Sequence, residues 1–404
     1  MVTYPKDWEE KKLNNYVHIY QGGTPSTANK SYWDGNIVWV TPSDVTKQAG
    51  MYIYNSERKI TEKGLCNSSA KLLPEGTILL CTRATIGELV IAGRPLATNQ
   101  GFKNLVCKEN ADSLFLAYLL GTLKDEMLQK ASGTTFLELS SRELSKINIT
   151  MPPLPEQQGI ADTLSTFDEH IENLTKLIEK KRAIRDGALE DLVTGKVRLD
   201  GFQSSWKQIQ FSDVIVPKAR IGWQGLKKDE YLPQGYSYLI GGTDFEKGKI
   251  SLENISYVSK QRYEMDVNIQ VSAGDVLVTK DGTIGKVAVV PEMNKPATLS
   301  SGVFVFRVKR GLESSYLYWV LMSSLFSKFI EELSAGSTIK HLYQKDLKKF
   351  EFEMPSDVEE QQAIASILTA MDDELIKLEH EREKIQQIKA GAMDDLLTGK
   401  IRLV

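Results

Sequence analysis

The stretch EQQGIADTLSTFDEHIENLTKLIEKKRAIRDGALEDLVTGKVRL, Glu156 to Leu199, returns without a gap as EQQAIASILTAMDDELIKLEHEREKIQQIKAGAMDDLLTGKIRL, Glu360 to Leu403. Each residue stands 204 positions from its counterpart, and 20 of the 44 positions are identical. A repeat of this length is a structural unit whose apolar face needs a partner, and the natural partner is the other copy. In the first copy Ile160, Leu164, Phe167, Ile171, Leu174 and Ile178 follow at alternating intervals of 4 and 3, the seam of a coiled coil. Ile364, Leu368, Met371, Leu375 and Leu378 repeat it, until Arg382 interrupts the second seam. The prolines of Met151 to Pro155 and of Met354-Pro355 suit a helix start. At Thr194-Gly195-Lys196 and Thr398-Gly399-Lys400 the glycine accepts the left-handed C-terminal conformation and the lysine complements the helix dipole. The pattern predicts two helices of about 38 residues, each roughly 55 Å long.

Weaker echoes extend the duplication to the whole chain. Trp8 answers to Trp206 and the turn Thr85-Ile86-Gly87 to Thr283-Ile284-Gly285, both at an offset of 198. Gly101 pairs with Gly302 at 201, and SGTTF around Gly133 with AGSTI around Gly336, like Met151 with Met354, at 203. Such drift means small insertions in surface loops. Strand-like runs enriched in β-branched and aromatic residues lie at 36–40, 77–81 and 103–107, and again at 275–279, 286–290 and 303–306. A helical stretch follows in each half, Leu114 to Gln129 and Ser315 to Leu333. The expected fold class is mixed α/β (α+β), two twisted-sheet domains separated by two long antiparallel coiled-coil helices with a pseudo-twofold internal repeat. An intramolecular partner enjoys a high effective concentration, which favours pairing within the chain. The implied domains are 1–152, 153–199, 200–354 and 355–404.

Among 404 residues, 41% hydrophobic and 25% charged, nothing reads as disordered or as long enough an apolar run to span a bilayer, and MVTYPKDWEE is unlike a signal peptide. A cytoplasmic protein is expected. Three cysteines, Cys66, Cys81 and Cys107, with no C-x-x-C spacing argue against a disulfide framework or a zinc site and suit buried small hydrophobes. The net charge of −3 divides unevenly: the two repeats carry −2 and −3, so the globular parts sum to +2 and are the better candidates for meeting DNA. No P-loop, no Asn/Asp-Pro-Pro-Tyr/Phe element of an adenine methyltransferase and no metal-ligand spacing among His18, His170, His341 and His380 occurs, so catalysis by this chain is not expected. A purely structural coiled-coil scaffold would leave the two divergent globular units unexplained.

GGTPS (Gly22 to Ser26) with YWDGNIVWVTPSD (Tyr32 to Asp44), the RATIG and DGTIG turns, the SGTT and AGST turns, PLPEQQ, and the two TGKxRL exits together closely resemble the specificity (S) subunit of type I restriction-modification systems over essentially the whole chain. The resemblance implies two target-recognition domains, each reading one half of a split, asymmetric double-stranded DNA sequence in the major groove. It implies paired helices on which two methyltransferase (M) subunits dock, and through them the restriction (R) subunits. It also implies no cofactor in this chain, with S-adenosylmethionine, ATP and Mg expected on the partner subunits. An orphan or other multi-subunit DNA methyltransferase is the alternative setting. The second half departs from the pattern at Lys218 to Gln224, where the first has GGTPS, as units reading different half-sites would.

Base reading draws on Arg, Lys, Asn, Gln, Asp and Glu, and phosphate contact on Lys, Arg, Ser, Thr and Gly-rich turns. The candidates in the first unit are Thr41, Ser43, Lys47, Arg83, Thr85, Asn99, Gln100, Lys103, Ser132 and Thr134. In the second they are Lys218, Arg220, Gln224, Lys227, Lys228, Thr243, Lys280, Asp281, Thr283, Ser300, Ser301, Ser337 and Lys340. Arg83 and Lys280 stand out because each follows a strand and precedes the repeated Thr-Ile-Gly turn.

Overall fold

The computed structural model describes residues 4–48, 50–132, 137–222, 225–335 and 341–403. They form two compact units, Met1–Leu177 with Leu378–Val404, and Ile178–Lys377. Each contains parts of both long helices, Leu154–Val193 and Val358–Leu397, 40 residues apiece. Both helices start and stop where the prolines and the Thr-Gly-Lys exits predict. Gly195 and Gly399 take φ of 70° and 69°, the left-handed cap expected of them.

In the first unit a strand pair, Glu9–Lys12 with Asn148–Met151, ties the start of the globular part to the root of the first helix. A five-stranded sheet runs in the order Val17–Gln21, Phe102–Cys107, Ile78–Cys81, Leu89–Ala92, Tyr52–Ile53. A three-stranded sheet, Lys59–Ile60, Trp33–Val40, Ala97–Thr98, stands beside it. The run Ile78 to Cys81 is apolar without alternation because both faces are covered. Ile78 and Leu80 join the cluster containing the helical Phe115 and Leu116, while Leu79 and Cys81 join Val38, Val40 and Phe102.

The second unit repeats this plan. Trp206–Gln210 pairs with Glu351–Pro355, and a six-stranded sheet contains Ile215–Ala219, Val303–Val308, Val276–Thr279 and Val287–Val289. A four-stranded sheet is built on Ser237–Ile240 and Ala297–Leu299. All six predicted strand runs are strands or lie within strands to within a residue.

The two predicted short helices are each broken in two, at Leu123 (Ser113–Thr122, Lys124–Lys130) and at Ser323 (Ser314–Met322, Ser324–Ala335). At the second break ψ of Ser323 is 172°, and Glu190 accepts hydrogen bonds from Ser324 N (2.7 Å) and Oγ (2.5 Å). A carboxylate at the new N-terminus satisfies donors that a continuous helix would have used internally. Cys81 is buried, its thiol pushed up to about 11 by burial, and Cys107 is partly buried at about 12. Cys66, expected inside, is exposed.

Within each unit the long helices run antiparallel. In the first, Lys389 pairs with Asp168 (2.5 Å) and His170 with Glu381 (3.8 Å); in the second, Arg185 pairs with Asp372 (3.2 Å) and Lys181 with Glu374 (2.8 Å). The heptad seam, however, serves two surfaces. Ile160, Leu164 and Phe167 pack into the globular core of the first unit, and Ile364 and Leu368 into that of the second. A periodic stripe identifies a buried face but not what covers it.

The motifs that flank the helices close a clamp in each unit. Glu156, almost fully buried, accepts from Arg402 Nε (2.5 Å), Arg402 Nη2 (2.8 Å) and Trp8 Nε1 (3.2 Å). Glu360, fully buried, accepts from Arg198 Nε (3.0 Å), Arg198 Nη2 (2.6 Å) and Trp206 Nε1 (3.3 Å). The exit arginine of each repeat thus answers the entering glutamate of the other. The neighbouring glutamines act alike: Gln157 donates to the Pro152 carbonyl (2.9 Å) and accepts from Asp112 N (2.8 Å), and Gln361 donates to that of Pro355 (2.9 Å) and accepts from Glu313 N (2.9 Å).

Candidate nucleic-acid interface

In the first unit a chain of backbone hydrogen bonds gathers four loops at one edge. Asn99 N donates to Val40 O (3.0 Å), Thr82 N to Gly101 O (2.8 Å) and Leu139 N to Thr82 O (3.1 Å), and Ser132 and Glu138 exchange two bonds (3.1 and 3.0 Å). This frame brings together Thr41, Ser43, Arg83, Asn99, Gln100 and Ser132. In the second unit Ser300 N donates to Ile240 O (2.8 Å), Lys280 N to Gly302 O (2.9 Å) and Leu342 N to Lys280 O (2.8 Å). Here the gathered candidates are Thr243, Lys280, Asp281, Ser300 and Ser301. The turn closed by Asp44 is shared, since its carboxylate accepts from Thr41 N (2.8 Å) and that of Asp244 from Gly241 N (2.7 Å).

The glycines of GGTPS permit a close approach to this edge. A Cβ on Gly22 would fall 1.9 Å from the Asn99 carbonyl oxygen. Gly23 N donates to Thr98 O (2.9 Å), and Thr24 Oγ1 donates to Gln100. The counterpart of Gly22 in the second unit is Arg220, whose Nε donates to Leu299 O (2.9 Å), the counterpart of the carbonyl Gly23 reaches. A guanidinium therefore takes the place of a backbone N–H. Arg220 is 4% exposed, and burial, aided by Arg262, lowers its pKa from the usual arginine value. The structure thus places this expected DNA contact in the interior.

Lys103 is likewise buried, its Nζ 3.0 Å from Glu138 Oε1, while Arg83 Nη2 stands 2.6 Å from Glu138 Oε2. Partial burial pushes the Glu138 carboxyl up, but hydrogen bonds from Arg83 and Lys103 outweigh it and hold the carboxyl below its ordinary value. In the second unit Asp281 faces His341 Nδ1 (2.5 Å) and Lys280 Nζ (3.2 Å). By the register of these bonds the counterpart of Arg83 is Asp281, not Lys280, whose counterpart is the buried Thr82.

The remaining candidates are scattered. Thr85 and Thr283 lie within the repeated turns, and the Thr283 carbonyl accepts from Thr279 Oγ1 (2.5 Å). Exposed Lys47 pairs with Glu57 (3.2 Å). Lys218 sits half-buried in a strand, and Lys227 and Lys228 are exposed at a turn where Glu230 accepts from Lys227 N (2.7 Å) and pairs with Arg262. Thr134, Gln224, Ser337 and Lys340 lie outside the described residues. Glu138 and His341 escaped sequence reading, although the SGTTF and AGSTI alignment at an offset of 203 already sets them opposite one another. Among the described residues no group of three or more His, Cys, Asp or Glu could hold a metal ion, and no helix is long and apolar enough to cross a membrane.

A family profile described as "Type I restriction modification DNA specificity domain" matches residues 5–181 and 206–390. The chain is 28% identical over 425 residues to the MjaIX specificity subunit of a type I restriction enzyme from Methanocaldococcus jannaschii, covering 99% of this chain and 94% of that one. It is 25% identical over 415 residues to the MjaVIII specificity subunit of the same organism, with 99% and 94% coverage. The crystal structure of a type I restriction-modification S subunit from M. genitalium shares its fold, with a TM-score of 0.64, 18% identity and 96% of each chain covered.

Proposed function

Since this chain belongs to the family of type I restriction-modification DNA specificity subunits, we propose that it reads a bipartite, asymmetric DNA target, one half-site per globular unit. It acts without catalysing a reaction itself. One observation carries the reading: both units build the same hydrogen-bonded loop frame and set different polar side chains in it. A duplicated scaffold with divergent groups at its rim suits two recognition tasks of one kind and two different answers.

The long helices supply the docking surface for two methyltransferase subunits, with restriction subunits joining through them. Leu177, Ile184, Ile367 and Ile388 are large apolar residues exposed on these helices, and Ile184 and Ile388 are repeat counterparts. S-adenosylmethionine, ATP and Mg belong to the partner subunits, and the assembly works in the cytoplasm. The test is to map methylated adenines in cells expressing the chain with its methyltransferase subunits. A split motif with a fixed unread gap, lost when this chain is deleted, is expected. A continuous or palindromic motif dependent on the chain would refute the reading.

A further inference from the structure

Resting on that reading, we propose that positions 83 and 138 in the first unit, and 281 and 341 in the second, are the base-selecting pair of each, with Arg83 choosing guanine and Asp281 choosing cytosine. The backbone at these positions is the same in both units. Arg83 and Glu138 form an isolated antiparallel bridge, as do Asp281 and His341. The residue after each turn position is left-handed, Ala84 at φ 58° and Gly282 at φ 70°, and each turn closes on a left-handed glycine, Gly87 or Gly285. A non-glycine residue held at positive φ is uncommon and is typical of sites where function dictates the backbone.

Within this constant frame the charges are exchanged. The turn carries the cation and the bridge the carboxylate in the first unit, whereas the turn carries the carboxylate and the bridge the imidazole in the second. The supporting cation moves as well. Lys103 reaches Glu138 from a strand, while its counterpart Phe304 carries no charge and Lys280 supplies the cation from the turn, 6.0 Å from the Phe304 ring centroid. A pair that served only as a strut would work with either polarity in either unit. A base edge is sensitive to polarity, because guanine offers two acceptors to an arginine fork and cytosine an amino donor to a carboxylate. The side chains are also accessible: Arg83 is 41% exposed, Asp281 31% and His341 52%, while the buried Lys103 is 3%. The Arg83–Glu138 ion pair and the Asp281–His341 contact orient the reading group before DNA arrives and lower the ordering cost of recognition.

The experiment compares the methylation motifs of complexes carrying the wild-type chain, R83D with E138H, and D281R with H341E. The first double variant should change one position of one half-site from guanine towards cytosine, and the second should make the opposite change in the other half-site. Preference for guanine should fall about 5- to 150-fold in the first variant, the discrimination of one bidentate contact, and preference for cytosine should fall less in the second, whose carboxylate accepts a single hydrogen bond. D281N keeps side-chain size, and R83Q is shorter but stays polar while losing the charge, should the doubles fail to fold; each must relax one position of its own half-site only. An active R83Q or D281N complex with an unaltered motif, or one weakened equally at both half-sites, would overturn the inference. A wild-type complex without a bipartite motif would instead remove the underlying reading, so the two failures are distinguishable.

Discussion

Replacing Arg198 by alanine tests the clamp at the root of the second helix. Glu360 has no solvent exposure and is held by the Arg198 fork and the Trp206 indole, so the variant strands a carboxylate with one neutral donor. Removing one partner of a buried pair typically costs 3–5 kcal/mol. Because the Arg198 side chain is itself 33% exposed, the lower figure of about 3 kcal/mol is appropriate. For a unit of about 200 residues each kcal/mol lowers the melting temperature by about 2–4 °C, giving a drop of about 6–12 °C. Replacing both residues by methionine removes the stranded charge and should recover all but about 1 kcal/mol. Calorimetry measures the cycle, and hydrogen exchange locates the weakening, expected in Trp206–Gln210 and the first turn after Val358. An R198A chain as stable as wild type, or a double variant no more stable than R198A, would refute the clamp.

Arg220→Ala should destabilise the second unit by about 1–3 kcal/mol, since the Leu299 carbonyl loses its buried donor. DNA affinity at low temperature, where the variant is folded, should change little; a loss of affinity in fully folded protein would show that Arg220 touches DNA. Gly282→Ala should lower stability by about 1 kcal/mol, the ordinary cost of a left-handed non-glycine residue, and Ala84→Gly should leave thermal stability level or raise it. The depressed pKa of Glu138 means that its pairing with Arg83 and Lys103 stabilises the fold fully above the ordinary glutamate value of about 4.3, and that this contribution is lost as pH falls through the lower folded value. Glu138→Gln should therefore flatten the acid limb of the stability profile, and equal acid sensitivity of the two proteins by pH-dependent melting would contradict the assignment.

The duplication, both long helices and the strand runs were legible in the sequence because they rest on local rules: 3.6-residue periodicity, glycine caps, proline at a helix start, β-branched runs between turns. The breaks at Leu123 and Ser323 were not, because the second depends on Glu190, 134 residues away in sequence, capping a new N-terminus. The seam revealed which faces are buried, but only tertiary packing decided that Ile160 and Ile364 meet globular cores. The same limit governs the candidate interface. Arg83 and Arg220 are the same residue type in polar, glycine-bearing loops; the repeated Thr-Ile-Gly turn singles out Arg83, but nothing in the sequence marks Arg220 as interior. What separates them is the group across the gap, an accessible Glu138 for one and a buried Leu299 carbonyl for the other. A side chain's length and charge are written in the chain, whereas its solvent and its partners are set by residues brought from elsewhere by the fold.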